Sequence, residues 1–138
     1  MESFKQKCAQ YGVEGYILGP IYMNNVAEVD RAFAYAARYG SKVFIGVPKY
    51  ELIDYTIKKV AETGIKVAIH THGPDGAPFP NIRKVDEMVK DPKLGVGCCL
   101  DLGHSVRMGE DIIKDMKRYK DWIYDIHIKD ESAASKAG

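Results

Sequence analysis

Four histidines occur in this 138-residue chain, and all four stand at or just past the ends of short apolar runs. His70 and His72 close "KVAIHTH", His104 closes "GVGCCLDLGH", and His127 sits in "WIYDIHIKD". Asp101 ends the fourth run, and Lys129 and Asp130 end the fifth. Random placement would scatter such groups over helices and loops. Imidazoles and carboxylates gathered at one edge can hold a divalent cation, clamp a polar substrate, or satisfy one another through hydrogen bonds. Two imidazoles and one carboxylate suit a borderline cation such as Mn²⁺, Co²⁺ or Zn²⁺, with positions left open for water and substrate.

The elements that must position these groups follow one repeated theme. Apolar runs at "GYILGP", "KVFIGVP", "KVAIHTH", "GVGCCLDLGH" and "WIYDIHIKD" alternate with amphipathic stretches. Asn25 caps a helix whose apolar side is Val26, Val29, Phe33 and Ala37, ending at Gly40. Ile53, Ile57 and Val60 mark a second helix, and Val85, Met88 and Val89 a third. Ile112, Ile113, Met116 and Tyr119 mark a fourth, and Phe4, Cys8 and Tyr11 mark an opening one. A strand–helix repeat of roughly 25–30 residues is the signature of βαβ units joined by right-handed crossovers. No linker or compositional break divides residues 1–138, so one α/β domain with a parallel sheet is expected. Neither a G-x-G-x-x-G turn nor a P-loop follows any strand, which favours a (β/α)₈ barrel over an open doubly wound sheet. A closed barrel takes ~250 residues, so five units make a partial one, incomplete at both ends. Its two unpaired edges predict an isolated chain that is marginal, self-associates, or needs further segments.

Strand alternation fixes which groups share a side. Ala68, His70 and His72 oppose Val67, Ile69 and Thr71. Gly97, Cys99 and Asp101 oppose Cys98 and Leu100. Asp125, His127 and Lys129 oppose Tyr124, Ile126 and Ile128. The bulky apolar sides suit packing under helices, and in a barrel the other sides face the axis. His70, Asp101 and His127 then converge from three neighbouring strands as metal ligands, with His72 and His104 beside them. Cys99 turns inward near them, where a buried thiol is expected to be inert. "GPDGAPFP" reads as a loop on the rim.

Composition narrows the partners. Lys plus Arg number 20 against 19 Asp plus Glu, leaving no basic excess for nucleic acid. No apolar run has membrane-spanning length, and "MESFKQKCAQ" lacks a secretory h-region, so a cytoplasmic location without membrane attachment is expected. Cys8, Cys98 and Cys99 match no zinc-finger spacing and read as free thiols of a reducing compartment.

"AIHTHGPDG", "CCLDLGHSVRMGED" and "YDIHIKDESAASKAG" resemble successive strand ends of the sugar-phosphate isomerase/epimerase group of xylose-isomerase-like TIM barrels. "GYILGPIYMNNVAEVDRAFAYAARYG" and "KVFIGVPKYEL" resemble the two preceding units. The resemblance implies strands three to seven of eight. It implies one divalent metal (Mn, Co, Zn or Mg), with Asp101 and His127 matching the family's sixth- and seventh-strand ligands. His70 stands where the family carries a fifth-strand Glu, and no residue matches the eighth-strand Glu. His72 and His104 match positions that meet substrate. The implied activity is isomerisation or epimerisation of a keto-sugar, sugar phosphate or related polyol through a metal-stabilised enediolate. Proton transfer falls to His70 and to Lys129, the latter as base or as anchor for an oxyanion. A dehydratase or lyase on the same scaffold, or a non-catalytic barrel fragment, is the alternative. Phosphodiester-cleaving relatives need more His and Glu ligands than this chain carries.

Overall fold

Two asparagines start helices in the same way. The side-chain oxygen of Asn25 accepts the amide of Glu28 at 3.0 Å, and that of Asn81 accepts the amide of Lys84 at 3.1 Å. Each satisfies an amide that has no partner within its own helix. Gly40 ends the first of these helices with a left-handed φ of 73°, a conformation that costs glycine little. The computed structural model describes residues 2–13, 17–74 and 76–131. Its helices are α1 (Glu2–Gln10), α2 (Val26–Tyr39), α3 (Ile53–Thr63), α4 (Ile82–Val89), α5 (Leu102–Arg107) and α6 (Ile112–Arg118). None is long and apolar enough to cross a membrane.

Strands β1 (Leu18–Met23), β2 (Val43–Pro48), β3 (Lys66–His70), β4 (Val96–Asp101) and β5 (Ile123–His127) form one sheet in chain order. All neighbours pair in parallel. Every crossover therefore steps one strand in the same direction, as in a barrel wall, with no point where the order reverses. The first strand starts later than "GYILGP" suggests and runs on to the fully buried Met23; Gly15 and Tyr16 lie outside the described residues. In the fourth run the strand stops at Asp101, and "LGH" already belongs to α5.

The outer face of the sheet carries the main core, with Phe44, Val67, Ile69, Cys98 and Leu100 under Phe33, Val60, Val85 and their neighbours. The inner face carries a small cluster of Ile45, Ala68 and Cys99 with Ile17, Val43 and Tyr124. Alternation thus holds for β3 and β4. The helix stripes need adjustment. On α2 the buried set is Val29, Ala32, Phe33 and Ala36, while Val26 and Ala37 face solvent. Phe33 meets Phe44 edge-on at 5.1 Å, and this contact sets the rotation of the helix. After Asp111, the expected Met116 and Tyr119 pack into the core, but Asp115 is buried with them and Ile113 is 62% exposed. Arg83 of α4 donates to the Asp115 carboxylate at 3.1 Å and also bonds Glu110, so an ion-pair network braces the helices there. Phe4 of α1 and Tyr11 just after it are exposed.

One irregularity matters for the site. Cys98 pairs with Ile123 but Cys99 with Asp125, so Tyr124 is an extra residue in β5. The bulge turns Tyr124 to the inner cluster instead of outward, and its hydroxyl donates to the Pro92 carbonyl at 2.7 Å. Ile126 and Ile128, expected under a helix, are exposed, Ile128 to 83%. Gly97 makes the bulge possible. A Cβ there would stand 2.5 Å from the Trp122 carbonyl oxygen and 2.8 Å from the Tyr124 ring. Gly97→Ala should therefore lower unfolding free energy by about 1–3 kcal/mol, the usual range for overpacking. A denaturant midpoint unchanged from the parent would show that β5 does not depend on this close approach.

Candidate metal centre

The parallel register stacks the polar groups in two rungs. His70, Cys99 and Asp125 are backbone partners across β3, β4 and β5, and Asp101 and His127 are partners one rung higher. All lie on the inner face, at the carboxyl ends of the strands. Loop backbone fixes the strand ends. The Thr71 amide donates to the Cys99 carbonyl at 3.1 Å, and the Asp101 amide donates to the Thr71 hydroxyl at 3.1 Å.

Asp101 is the hub. It is the last residue of β4 and the N-cap of α5, and it is 0% exposed. Its Oδ1 accepts the His104 amide at 3.0 Å, which fixes the carboxylate plane. Its Oδ2 meets His70 Nε2 at 3.3 Å, His127 Nδ1 at 3.6 Å and Lys129 Nζ at 2.9 Å. The structure thus brings His70, Asp101 and His127 together as the alternation predicts, with one ligand atom from each inside a 4.8 Å span. Tetrahedral bonds of about 2.0–2.1 Å place ligand atoms about 3.4 Å apart, and these separations match that spacing. The donor set fits a divalent cation. The Lys129 ammonium already puts positive charge on the oxygen a cation would use. No fourth protein ligand stands with the three among the described residues.

His104 has a defined tautomer. A carbonyl can only accept, so Nδ1 carries the proton it donates to Gly73 O at 2.7 Å, and Nε2 is left to accept from Lys129 Nζ at 2.9 Å. His72 lies against it, with ring centroids 3.8 Å apart. The loop after β3 therefore does more than form a rim: Gly73 orients His104, and the Phe79 carbonyl accepts the His72 amide at 2.9 Å. Lys129 joins Asp101 to His104. Two inner-face groups were not singled out from sequence as site residues, Cys99 as a reactive group and Asp125. The same period of two that locates Asp101 and His127 leads back to both.

The comparisons agree with this architecture. A family model described as a xylose isomerase-like TIM barrel matches residues 1–138. Among solved structures, the chain is similar to an uncharacterised protein from Parabacteroides distasonis, at 27% identity and a TM-score of 0.72, covering 94% of this chain and 51% of that one. It is similar to the IOLI protein, whose crystal structure holds a zinc atom, at 18% identity and a TM-score of 0.76, covering 98% and 61%. It also resembles a D-tagatose 3-epimerase-like protein at 15% identity and a TM-score of 0.72, covering 98% and 63%. The chain thus spans between 51% and 63% of the length of these three. No curated protein matches it.

Burial dominates the electrostatics of the imidazoles. It lowers the His70 pKa below the ordinary histidine value, against the hydrogen bond to Asp101 and with help from His127. It lowers that of His104 as well, against the Gly73 carbonyl. Burial pushes the Asp101 carboxyl up, but the Lys129 hydrogen bond and the His104 amide outweigh it, and the net direction is down. Where the folded pKa of a histidine is depressed, the unfolded chain binds protons more readily. Stability then falls as pH drops through the unfolded value of about 6.5. The Asp101 contribution is still complete in that window and is lost only below the usual carboxylate range. In the metal-free chain, the denaturant midpoint should begin to fall below about pH 6.5, and His70→Gln should flatten the fall. A profile level down to about pH 5 in the parent chain would contradict this assignment.

Proposed function

Because the chain belongs to the xylose isomerase-like TIM barrel family, we propose that it serves a divalent-metal-dependent isomerase or epimerase of a keto-sugar, sugar phosphate or related polyol. The convergence of His70, Asp101 and His127 from three adjacent strand ends is the observation that carries this reading. These three residues would hold the metal. A bound divalent cation supplies Lewis-acid polarisation of a carbonyl and its neighbouring hydroxyl, and so stabilises enediolate charge.

The chain's own residues divide the remaining work. Asp101 spends one oxygen on the α5 cap, which aims the other at the site. His70 Nδ1 is buried without a hydrogen-bond partner, so the ring acts through Nε2, and this favours the ligand role over proton transfer. His104, neutral and locked by Gly73, presents Nε2 as an acceptor where Lys129 or a substrate hydroxyl can meet it. His72 packs beside it and lines the substrate side. Lys129 bridges Asp101 and His104 and is the group placed to exchange a proton with substrate or anchor its oxyanion. The open edges of β1 and β5 belong to the same reading: the isolated chain self-associates through them or needs further segments to cover them. Its three free thiols suit the cytoplasm.

The test is an assay of keto-sugars and their 3-keto derivatives with added Mn²⁺, resolved by product. An epimer or isomer is expected; a dehydrated product would move the assignment to the lyase alternative. Asp101→Asn keeps an oxygen for the helix cap yet should weaken Mn²⁺ binding measured by calorimetry. Lys129→Met should bind Mn²⁺ at least as tightly as the parent and lose turnover by about 10²–10⁴-fold. Unaltered Mn²⁺ affinity in both Asp101→Asn and His127→Ala would leave only the non-catalytic reading.

A further inference from the structure

The adjacent cysteines of β4 have opposite surroundings. Cys98 points outward into the apolar core, where a thiol is simply a small hydrophobe. Cys99 points inward, and its thiol donates to Asp125 Oδ2 at 3.3 Å. Above this pair stands His127, whose two nitrogens face two carboxylates. Nδ1 lies 3.6 Å from Asp101 Oδ2 and Nε2 lies 3.8 Å from Asp125 Oδ2. Both separations are long for hydrogen bonds and close to the spacing of ligands that share an ion.

We propose that Cys99, Asp125 and His127 form a second, thiolate-containing cation site, one rung below the first and joined to it through the His127 ring. One ligand atom from each of the three falls inside a 4.8 Å span. With bonds of about 2.3 Å to sulfur and about 2.1 Å to oxygen, a tetrahedral ion separates those two atoms by about 3.6 Å, so small movements admit it. Sulfur, imidazole and carboxylate together select a zinc-class cation over Mg²⁺ or Ca²⁺. On binding, the metal–sulfur bond replaces the S–H bond and the proton leaves to solvent. Cys99 is fully buried, but Asp125 and His127 are partly exposed and give a path inward. This site does not rest on the isomerase reading. An ion here would hold His127 Nε2 and leave the Nδ1 proton directed at Asp101; with the upper site also filled, that proton would leave to solvent as well and the ring would bridge the two ions as imidazolate.

Co²⁺ titration of the full chain tests the inference, because a thiolate ligand produces a near-ultraviolet charge-transfer band that imidazole and carboxylate do not. The parent chain should show the band. Cys99→Ser, which keeps a donor to Asp125, should abolish it and bind one cobalt fewer, with circular dichroism unchanged. Cys8→Ser and Asp101→Asn should retain the band, so that failure of the upper site alone is recognisable. Should Cys99→Ser fold poorly, Asp125→Ala supplies the second reading and should weaken the band-forming cobalt by about 10–100-fold. Absence of the band in the parent, its survival in Cys99→Ser, or its loss in Asp101→Asn would each overturn the assignment.

Discussion

A carboxylate buried at the end of a strand must be paid for by its neighbours, and Asp101 dictates how this site is built. One of its oxygens begins a helix, and the other meets His70, His127 and Lys129. The first contact makes the second directional. Because Oδ1 is fixed on the His104 amide, Oδ2 cannot turn away from His70, His127 and Lys129. The helix in turn carries His104 back towards the same centre, where the Gly73 carbonyl sets its proton. A single residue thereby couples the end of β4, the start of α5 and the loop after β3.

The sheet supplies the rest through register. Parallel pairing in chain order puts His70 beside Cys99 and Asp101 beside His127, so side chains far apart in sequence share rungs of one ladder. The bulge at Tyr124 tightens this arrangement, since it lets β5 change phase at Gly97 and then deliver Asp125 and His127 inward at the right height. Ile126 and Ile128 show the other consequence. Ile123 at the start of β5 packs against the main core, but the strand leaves that cover further on, and among the described residues the sheet ends there on one side as it ends at β1 on the other.

Much of this is legible in the sequence. The meeting of His70, Asp101 and His127 follows from alternation with period two, which is rigid in short buried strands such as β3 and β4. The helix start at Asn25 and the stop at Gly40 follow from local hydrogen bonding and φ preference, which act within a few residues. What sequence could not show depends on distant partners. Tyr124 faces inward because Gly97, on another strand, leaves room for its ring. Asp115 is buried because Arg83 reaches it from α4, and an apolar count along α6 cannot detect an ion pair. The stripe on α2 is rotated because Phe33 finds Phe44. Alternation puts Lys129 on the inward side, but its bonds to Asp101 and His104 depend on α5 bringing His104 back to the strand ends.

Two layers of donors lie under one edge, His70, Asp101 and His127 above and Cys99 with Asp125 below, with the His127 ring between them. Lys129 Nζ holds the carboxylate oxygen that a divalent cation would use, so a cation there would displace the lysine from Asp101. The most direct measurement is a crystal structure grown with Mn²⁺ and read by anomalous scattering. The account predicts an anomalous peak within about 2.0–2.3 Å of His70 Nε2, Asp101 Oδ2 and His127 Nδ1, with Lys129 displaced. A structure with Lys129 still bonded to Asp101 and no peak between the two imidazoles would contradict it.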